Sequence, residues 1–125
     1  MIPAGLKYTE THEWAKEMGK NMIRVGITDH AQAELGDIVY VNLPEIGKEI
    51  SKGDEIVEVE SVKAVEQILS PVSGKVIAVN EALEDDPALL NSDCYEEGWI
   101  CEIEMSDPSE LEALLDDKKY KEIAE

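Results

Sequence analysis

The sequence contains no phenylalanine, and its aromatic residues together make up only 5% of the chain. The core must therefore be aliphatic, and frequent valine and isoleucine favour β structure. Basic residues are scarce as well, because 11 Lys and Arg stand against 29 Asp and Glu and leave a net charge of −18. A field of this sign repels phosphate backbones and anionic lipid surfaces. We therefore expect neither nucleic acid nor a membrane as a partner.

Long apolar runs, targeting segments and paired cysteines are also missing. No run approaches the ~20 apolar residues that cross a bilayer, and the first residues lack the features of a signal or transit peptide. The expected location is the cytoplasm of a prokaryote or, after processing, the matrix of an organelle. Cys94 and Cys101 form no C-x-x-C pair and have no histidine at zinc spacing. We expect both to be free structural thiols.

The length and the hydrophobic pattern predict one mainly β domain over residues 1–125. A hairpin is expected over 6–27 with its turn at 16–21, and period-two alternation or turn residues mark further strands. These strands are expected at 37–43, 56–60, 65–69, 75–80 and 99–105. If the register is right, five aliphatic residues are buried and Glu58 and Glu60 are solvated. The five are Val57, Val59, Ile68, Val76 and Val79.

Two helices are predicted beside the strands. Asp29 as N-cap and Gly36 as C-terminal glycine bracket a short helix over 30–35. Near the end of the chain, Asp107, Pro108 and Glu110 form a start signal for one amphipathic helix. Its leucines at 111, 114 and 115 share one face, and its lysines at 118, 119 and 121 suit the negative end of the helix dipole.

Familiar catalytic and metal-binding patterns are absent from the sequence. The two histidines, His12 and His30, are 18 residues apart, so soft metal ligands are few. The acidic run at 84–86 lacks the spacing of a calcium-binding loop and is interpreted as a solvated face. We expect no catalytic residues and no metal site.

Lys63 is unusual because it is expected at the tip of a hairpin whose arms are otherwise acidic. One interpretation is a solvated tip residue that blunts a turn. The other is a substrate for an acylating enzyme, because a rigid turn holds the amine away from the body of the protein and little order is lost on binding. The residues by themselves leave both open.

The segment around Lys63 resembles the lipoyl-attachment hairpin. In this chain the segment is Gly53-Asp54-Glu55-Ile56-Val57-Glu58-Val59-Glu60-Ser61-Val62-Lys63-Ala64, and Ser70-Pro71-Val72-Ser73-Gly74 follows it. Biotin carriers flank their lysine with methionine, whereas valine and alanine flank this one. The wider pattern is similar to the H-protein family of the glycine cleavage system. It includes Thr11-His12-Glu13-Trp14, Val25-Gly26-Ile27-Thr28-Asp29-His30-Ala31-Gln32 and Leu35-Gly36-Asp37-Ile38-Val39-Tyr40-Val41. The chain departs from the family at Cys94-Tyr95-Glu96, where a proline and a glycine are usual.

The resemblance implies a flattened β-barrel sandwich hybrid, lipoyl/biotinyl-like, with a short internal helix and a C-terminal helix. It further implies that Lys63 carries lipoate in amide linkage and that the protein is a carrier and no enzyme. Its cargo would be an aminomethyl group, taken from a pyridoxal-phosphate glycine decarboxylase to a tetrahydrofolate-dependent aminomethyltransferase, with electrons passed to dihydrolipoyl dehydrogenase. A lipoyl ligase or a lipoyl/octanoyl transferase would modify it. We further expect the loaded arm, which ends in an ammonium, to dock on the protein's own acidic surface. Glu13, with His12 beside it, is the candidate partner on a strand anchored by Trp14, and the alternative interpretation is a solvated glutamate near a core tryptophan.

Other functions compete with the glycine-cleavage shuttle. A small acidic metal-binding protein and an enzyme lack the motifs they need. A lipoyl relay protein would look the same at every residue. A lipoyl domain of a 2-oxoacid dehydrogenase complex is normally tethered by an Ala/Pro-rich linker, and none precedes Met1 or follows Glu125 in this sequence. We therefore expect the free shuttle.

Overall fold

The computed structural model describes residues 2–124 as two antiparallel sheets with short helices around them. One sheet has six strands in the order β1-β2-β3-β9-β8-β5, and the other has three in the order β4-β6-β7. In chain order the elements are β1 (Lys7–Tyr8), β2 (Glu13–Gly19), β3 (Met22–Ile27), α1 (Asp29–Leu35), β4 (Ile38–Asn42), β5 (Glu49–Ile50), β6 (Glu55–Ser61), β7 (Val65–Leu69), β8 (Gly74–Val79), α2 (Ala82–Asp85), α3 (Leu89–Ser92), β9 (Cys101–Met105), α4 (Ser109–Glu112) and α5 (Asp117–Ala124). The mainly β sandwich expected from the sequence is confirmed. No helix within residues 2–124 is long and apolar enough to span a membrane.

Both sheets contribute to an aliphatic core, as expected from the lack of phenylalanine. A second buried cluster is aromatic and consists of Tyr8, Trp14 and Tyr120, so the expectation holds for only one of the two clusters. Four of the five residues expected inside are buried, and Glu60 is exposed. Val79 is only partly buried, because a register shift between Val76 and Ala78 interrupts the alternation of β8. Glu58, which was expected to be solvated, is half-buried and lines a cavity beside β7.

The first hairpin turns later than the sequence predicted. Residues 16–19 belong to β2, and β3 begins at Met22, so the turn is confined to the residues between them. Gly19 has a φ of 153° and Asn21 a φ of 60°, which are conformations that glycine and asparagine tolerate. The expected turn at 16–21 was too long because charged residues on an exposed strand end look like a loop in the sequence.

Helix α1 is present, but its N-cap is Thr28 and not Asp29. The Thr28 hydroxyl accepts a hydrogen bond from the Ala31 N–H at 3.2 Å, the usual N-cap arrangement. Asp29 instead accepts from the Gln32 side chain at 2.8 Å. Gly36, with a φ of 77°, ends the helix as expected.

The single C-terminal helix expected from the sequence is wrong in one respect, because the segment contains two short helices, α4 and α5. Between them Leu115 pairs with Tyr8 of β1, donating to its carbonyl at 2.9 Å and accepting from its N–H at 2.7 Å. These backbone groups are therefore not available for a continuous helix. Lys118 and Lys119 consequently begin α5, and only Lys121 lies in its last turn.

Candidate functional site

Lys63 lies at the exposed tip of the β6–β7 hairpin, as predicted. The turn is organised around the buried hydroxyl of Ser61, which accepts hydrogen bonds from the N–H groups of Lys63 at 3.2 Å and Ala64 at 3.1 Å. The Ser61 N–H donates to the Ala64 carbonyl at 2.8 Å. The backbone that carries the lysine is thus held in one conformation while the side chain stays outside.

The hairpin tip also rests on the end of α1. The Val62 N–H donates to the Asp37 carbonyl at 3.0 Å. The Lys63 side chain runs across Gly36, so that a Cβ on this glycine would lie 3.3 Å from Lys63 Cε. Two apolar side chains flank the lysine in the open, Val62 at 66% exposure and Val65 at 55%. The tip therefore presents an amine between apolar side chains on a braced backbone.

A cavity of about 590 Å³ begins next to this tip and runs along β7. One wall consists of residues 64–69, so it starts at the residue after Lys63. The opposite walls come from the turn at 11–13 and from α1. Lys63 itself does not line the cavity, whereas Glu13 and His12 both do. The structure therefore brings the two candidate docking residues into one space beside the lysine hairpin.

Glu13 is buried, with 2% of its surface exposed, although the sequence analysis placed it on the acidic surface. One carboxylate oxygen, Oε1, accepts hydrogen bonds from the hydroxyls of Thr9 and Thr11. Among residues 2–124, the other oxygen, Oε2, has only a long contact of 3.4 Å from the Leu69 N–H. Burial raises the pKa of Glu13, and these hydrogen bonds offset the rise in part. The charged form thus has neutral donors around it within the described residues and one weakly satisfied oxygen.

Trp14 anchors the strand that carries Glu13, as expected. Its ring is fully buried, and its Nε1–H donates to the Cys94 carbonyl at 2.9 Å. That carbonyl belongs to the segment where the sequence departs from the H-protein pattern. In the same segment the Tyr95 hydroxyl accepts from the Asp29 N–H at 2.9 Å. The departing loop is therefore tied both to β2 and to the start of α1.

His12 occupies a left-handed turn with a φ of 72° before β2. Its Nδ1 lies 2.7 Å from the Tyr120 hydroxyl, which lies 2.7 Å from the Thr28 hydroxyl. Its ring centre is 4.3 Å from that of His30. Burial and the neighbouring His30 lower the pKa of His12, and Glu34 opposes them. The neutral imidazole is therefore favoured at this position.

Several residues of the site escaped the sequence analysis. Thr9 and Tyr120 lie outside the motifs, and 108 positions separate Tyr120 from His12, so no local pattern connects them. Thr11 and His30 stand inside the quoted motifs, but nothing in their spacing shows what they contact.

The two cysteines are free and buried, as predicted. Burial raises the pKa of each thiol to about 12, so the nucleophilic thiolate is suppressed. Neither cysteine lines the cavity.

Known proteins resemble this chain over almost its whole length. A family model described as glycine cleavage H-protein matches residues 6–125. The glycine cleavage system H protein of Anaeromyxobacter sp. (strain K) is 52% identical over 124 residues, which covers 99% of this chain and 96% of that protein. A probable glycine cleavage system H protein of Thermococcus gammatolerans is 54% identical over 125 residues, covering 99% and 92%. The crystal structure of a glycine cleavage system H protein from Mycobacterium marinum superimposes with a TM-score of 0.89 at 37% identity, covering 97% of each chain. The chain therefore belongs to the glycine cleavage H-protein family.

Proposed function

We propose that this protein is the lipoyl shuttle of the glycine cleavage system and that Lys63 is its attachment site. The shuttle role follows from family membership. The assignment to Lys63 is carried by one observation, the exposed lysine on a turn locked by the Ser61 hydroxyl. A ligase can reach this amine without reordering the hairpin, which keeps the entropic cost of recognition low.

The residues present fit a covalently bound lipoyl group. Lys63 offers a primary amine, which a ligase must deprotonate before Nζ can attack an activated carboxyl. The resulting amide is neutral and takes the net charge from −18 to −19. When bound, lipoate supplies a disulfide that accepts the aminomethyl cargo and two electrons. The chain itself supplies the braced hairpin and a cavity that starts beside it.

Glu13 is the proposed holder of the cargo ammonium. Within the part of the chain that the structure describes, its Oε2 has only the 3.4 Å contact from the Leu69 N–H, so a cation in the cavity would supply the positive charge that the neutral donors lack. A unit charge pair at ~4 Å gains about 4 kcal/mol at a surface-like dielectric, before desolvation and screening are subtracted. His12, on the same wall, is favoured as the neutral imidazole and so adds no repulsion.

In this role the protein catalyses no step and instead visits the other components of the system. The expected partners are glycine decarboxylase, aminomethyltransferase and dihydrolipoyl dehydrogenase, together with the enzyme that attaches the lipoyl group. Their compartment, the cytoplasm of a prokaryote or the matrix of an organelle, is the expected location. The exposed valines beside Lys63 suit contact with enzymes that must recognise the hairpin tip.

The test is the intact mass of the protein after incubation with a lipoyl ligase, lipoate and ATP. Lys63→Arg is expected to keep the fold and gain no lipoyl mass, because the guanidinium stays protonated and is no nucleophile. Lys75→Arg, at an exposed strand lysine, is the matched control and is expected to be modified like the parent. Lipoyl mass on the Lys63→Arg protein would refute the assignment.

A further inference from the structure

His12, His30 and Glu34 form a cluster whose candidate ligand atoms all lie within 4.8 Å of one another. We propose that this cluster is a binding site for a zinc-like divalent cation, with its open position towards the cavity. The sequence predicted no metal site because the two histidines are far apart along the chain. The inference does not depend on lipoylation.

The fold brings the histidines together through backbone pairing. The Thr28 N–H donates to the His12 carbonyl at 3.1 Å, just beyond the end of the β2–β3 ladder. Helix α1 starts at the next residue, which places His30 in its first turn. The imidazole rings consequently lie 4.3 Å apart, centre to centre.

The third ligand comes from the same helix. Glu34 is four residues after His30, the spacing that brings two side chains together on one helix face. The distance from His30 Nε2 to Glu34 Oε1 is 2.6 Å. Two imidazoles and one carboxylate are a ligand set that zinc accepts, with water in the fourth position.

His12 has a hydrogen-bond partner on one of its ring nitrogens, as metal-bound histidines usually do. The Tyr120 hydroxyl is hydrogen-bonded to Nδ1 of His12, and the Thr28 hydroxyl is hydrogen-bonded to the Tyr120 hydroxyl. This contact orients the ring and leaves Nε2 of His12 for a cation. Both Tyr120 and Thr28 are buried, so the arrangement belongs to the core.

The other two ligands can adjust. The side chain of Glu34 is 66% exposed and that of His30 is 35% exposed. Ligand atoms of a tetrahedral zinc site lie about 3.3 Å apart. Rotamer changes of these two side chains must therefore widen the 2.6 Å separation between His30 Nε2 and Glu34 Oε1 and bring both atoms to coordinating distance of His12. The net charge of −18 favours cation binding in general.

The open position faces a defined space. His12 and Glu34 both line the cavity of about 590 Å³ beside β7, so a bound cation would border it. Water or an entering donor would complete the coordination.

The experiment is a calorimetric titration of unlipoylated, tag-free and chelator-treated protein with Zn²⁺. Excess Mg²⁺ is present throughout to occupy the acidic surface. One Zn²⁺ per chain is expected, and Glu34→Gln is expected to weaken its binding by more than about tenfold. His12→Asn is expected to do the same, and asparagine tolerates the left-handed backbone at this position. Glu84→Gln, which removes an exposed carboxylate on α2, is the matched control and should leave the affinity unchanged.

A second measurement uses the unchanged protein. The sequence has only two histidines, so NMR can assign both rings, and Zn²⁺ is expected to shift both sets of ring signals together. Several weak sites, equal weakening by Glu84→Gln, no binding, or unmoved ring signals would each overturn the proposal.

Discussion

Ser61 and Ala64 close the turn that carries Lys63 through hydrogen bonds in both directions. The Ser61 N–H donates to the Ala64 carbonyl at 2.8 Å, and the Ala64 N–H donates to the Ser61 hydroxyl oxygen at 3.1 Å. That hydroxyl in turn lies 3.1 Å from the Ala64 carbonyl oxygen and serves as donor to it. One small polar side chain thus satisfies the backbone of the turn and leaves the lysine between its ends free of backbone strain.

Ser61→Ala is expected to loosen this turn without touching Lys63. The N–H groups of Lys63 and Ala64 lose their acceptor, which should lower the free energy of unfolding by about 1–3 kcal/mol. The rate of lipoylation by a ligase should fall because the lysine is no longer presented in one conformation. Urea denaturation and the kcat/KM for lipoylation measure the two effects. Ser92→Ala, at an exposed serine, is the control, and equal lipoylation of Ser61→Ala and Ser92→Ala would contradict the prediction.

Gly26→Ala is expected to disturb the Trp14 anchor. A Cβ on Gly26 would lie 2.5 Å from ring atoms of Trp14, which is fully buried and cannot move aside. The free energy of unfolding should fall by about 3 kcal/mol or more. At Gly5 a Cβ would meet nothing within 4 Å, so Gly5→Ala should cost only the strain of its positive φ, about 1 kcal/mol. Thermal denaturation of the two variants measures the loss of stability in each. Equal losses in Gly26→Ala and Gly5→Ala would refute the steric explanation.

The burial of Glu13 predicts a pH-dependent stability difference between the parent and Glu13→Gln. Because the folded pKa is raised above 4.5, the folded state binds the proton more tightly than the unfolded state does. The contribution is complete below pH 4.5 and is lost as pH rises through the folded pKa. The parent should therefore lose stability relative to Glu13→Gln across that window. The pKa of His12 is lowered, so its contribution to stability changes with pH in the opposite direction. His12 is present in both proteins, however, and its contribution cancels in the difference.

Urea denaturation at pH values from 4 to 8, in steps of about one pH unit, measures this difference in the free energy of unfolding. The control is Glu10→Gln, at an exposed carboxylate, which should run parallel to the parent. A difference between the parent and Glu13→Gln that does not vary with pH would show that the carboxylate is not perturbed.

Glu13→Gln should also speed the loss of methylamine from the loaded protein several-fold. The amide cannot attract the cargo ammonium as the carboxylate does, so water reaches the cargo more often. High salt should partly reproduce the effect by screening. The rate of loss from isolated loaded protein is the measurement, with Glu10→Gln as the control. An unchanged rate in both Glu13→Gln and high salt would remove Glu13 from the mechanism.

The hairpin and its lysine were predictable because their cause is local. The alternation that buries Val57 and Val59 needs only the period of a strand, and the interruption before Val65 marks the turn. Elements that depend on distant partners were not predictable. The C-terminal helix is divided because Leu115 pairs with Tyr8, a contact across the chain that no helix signal contains.

The candidate site divides in the same way. The sequence by itself determined the acidic charge, the aliphatic core and the lysine between two strands, because composition and short-range periodicity are properties of neighbouring residues. Only the tertiary structure decided that Glu13 is buried beneath Thr9 and Thr11 and that His12 meets His30. Burial and encounter depend on which surfaces the sheets and α1 cover when they pack. Which surfaces are covered depends on packing along the whole chain, so no short segment of the sequence determines it.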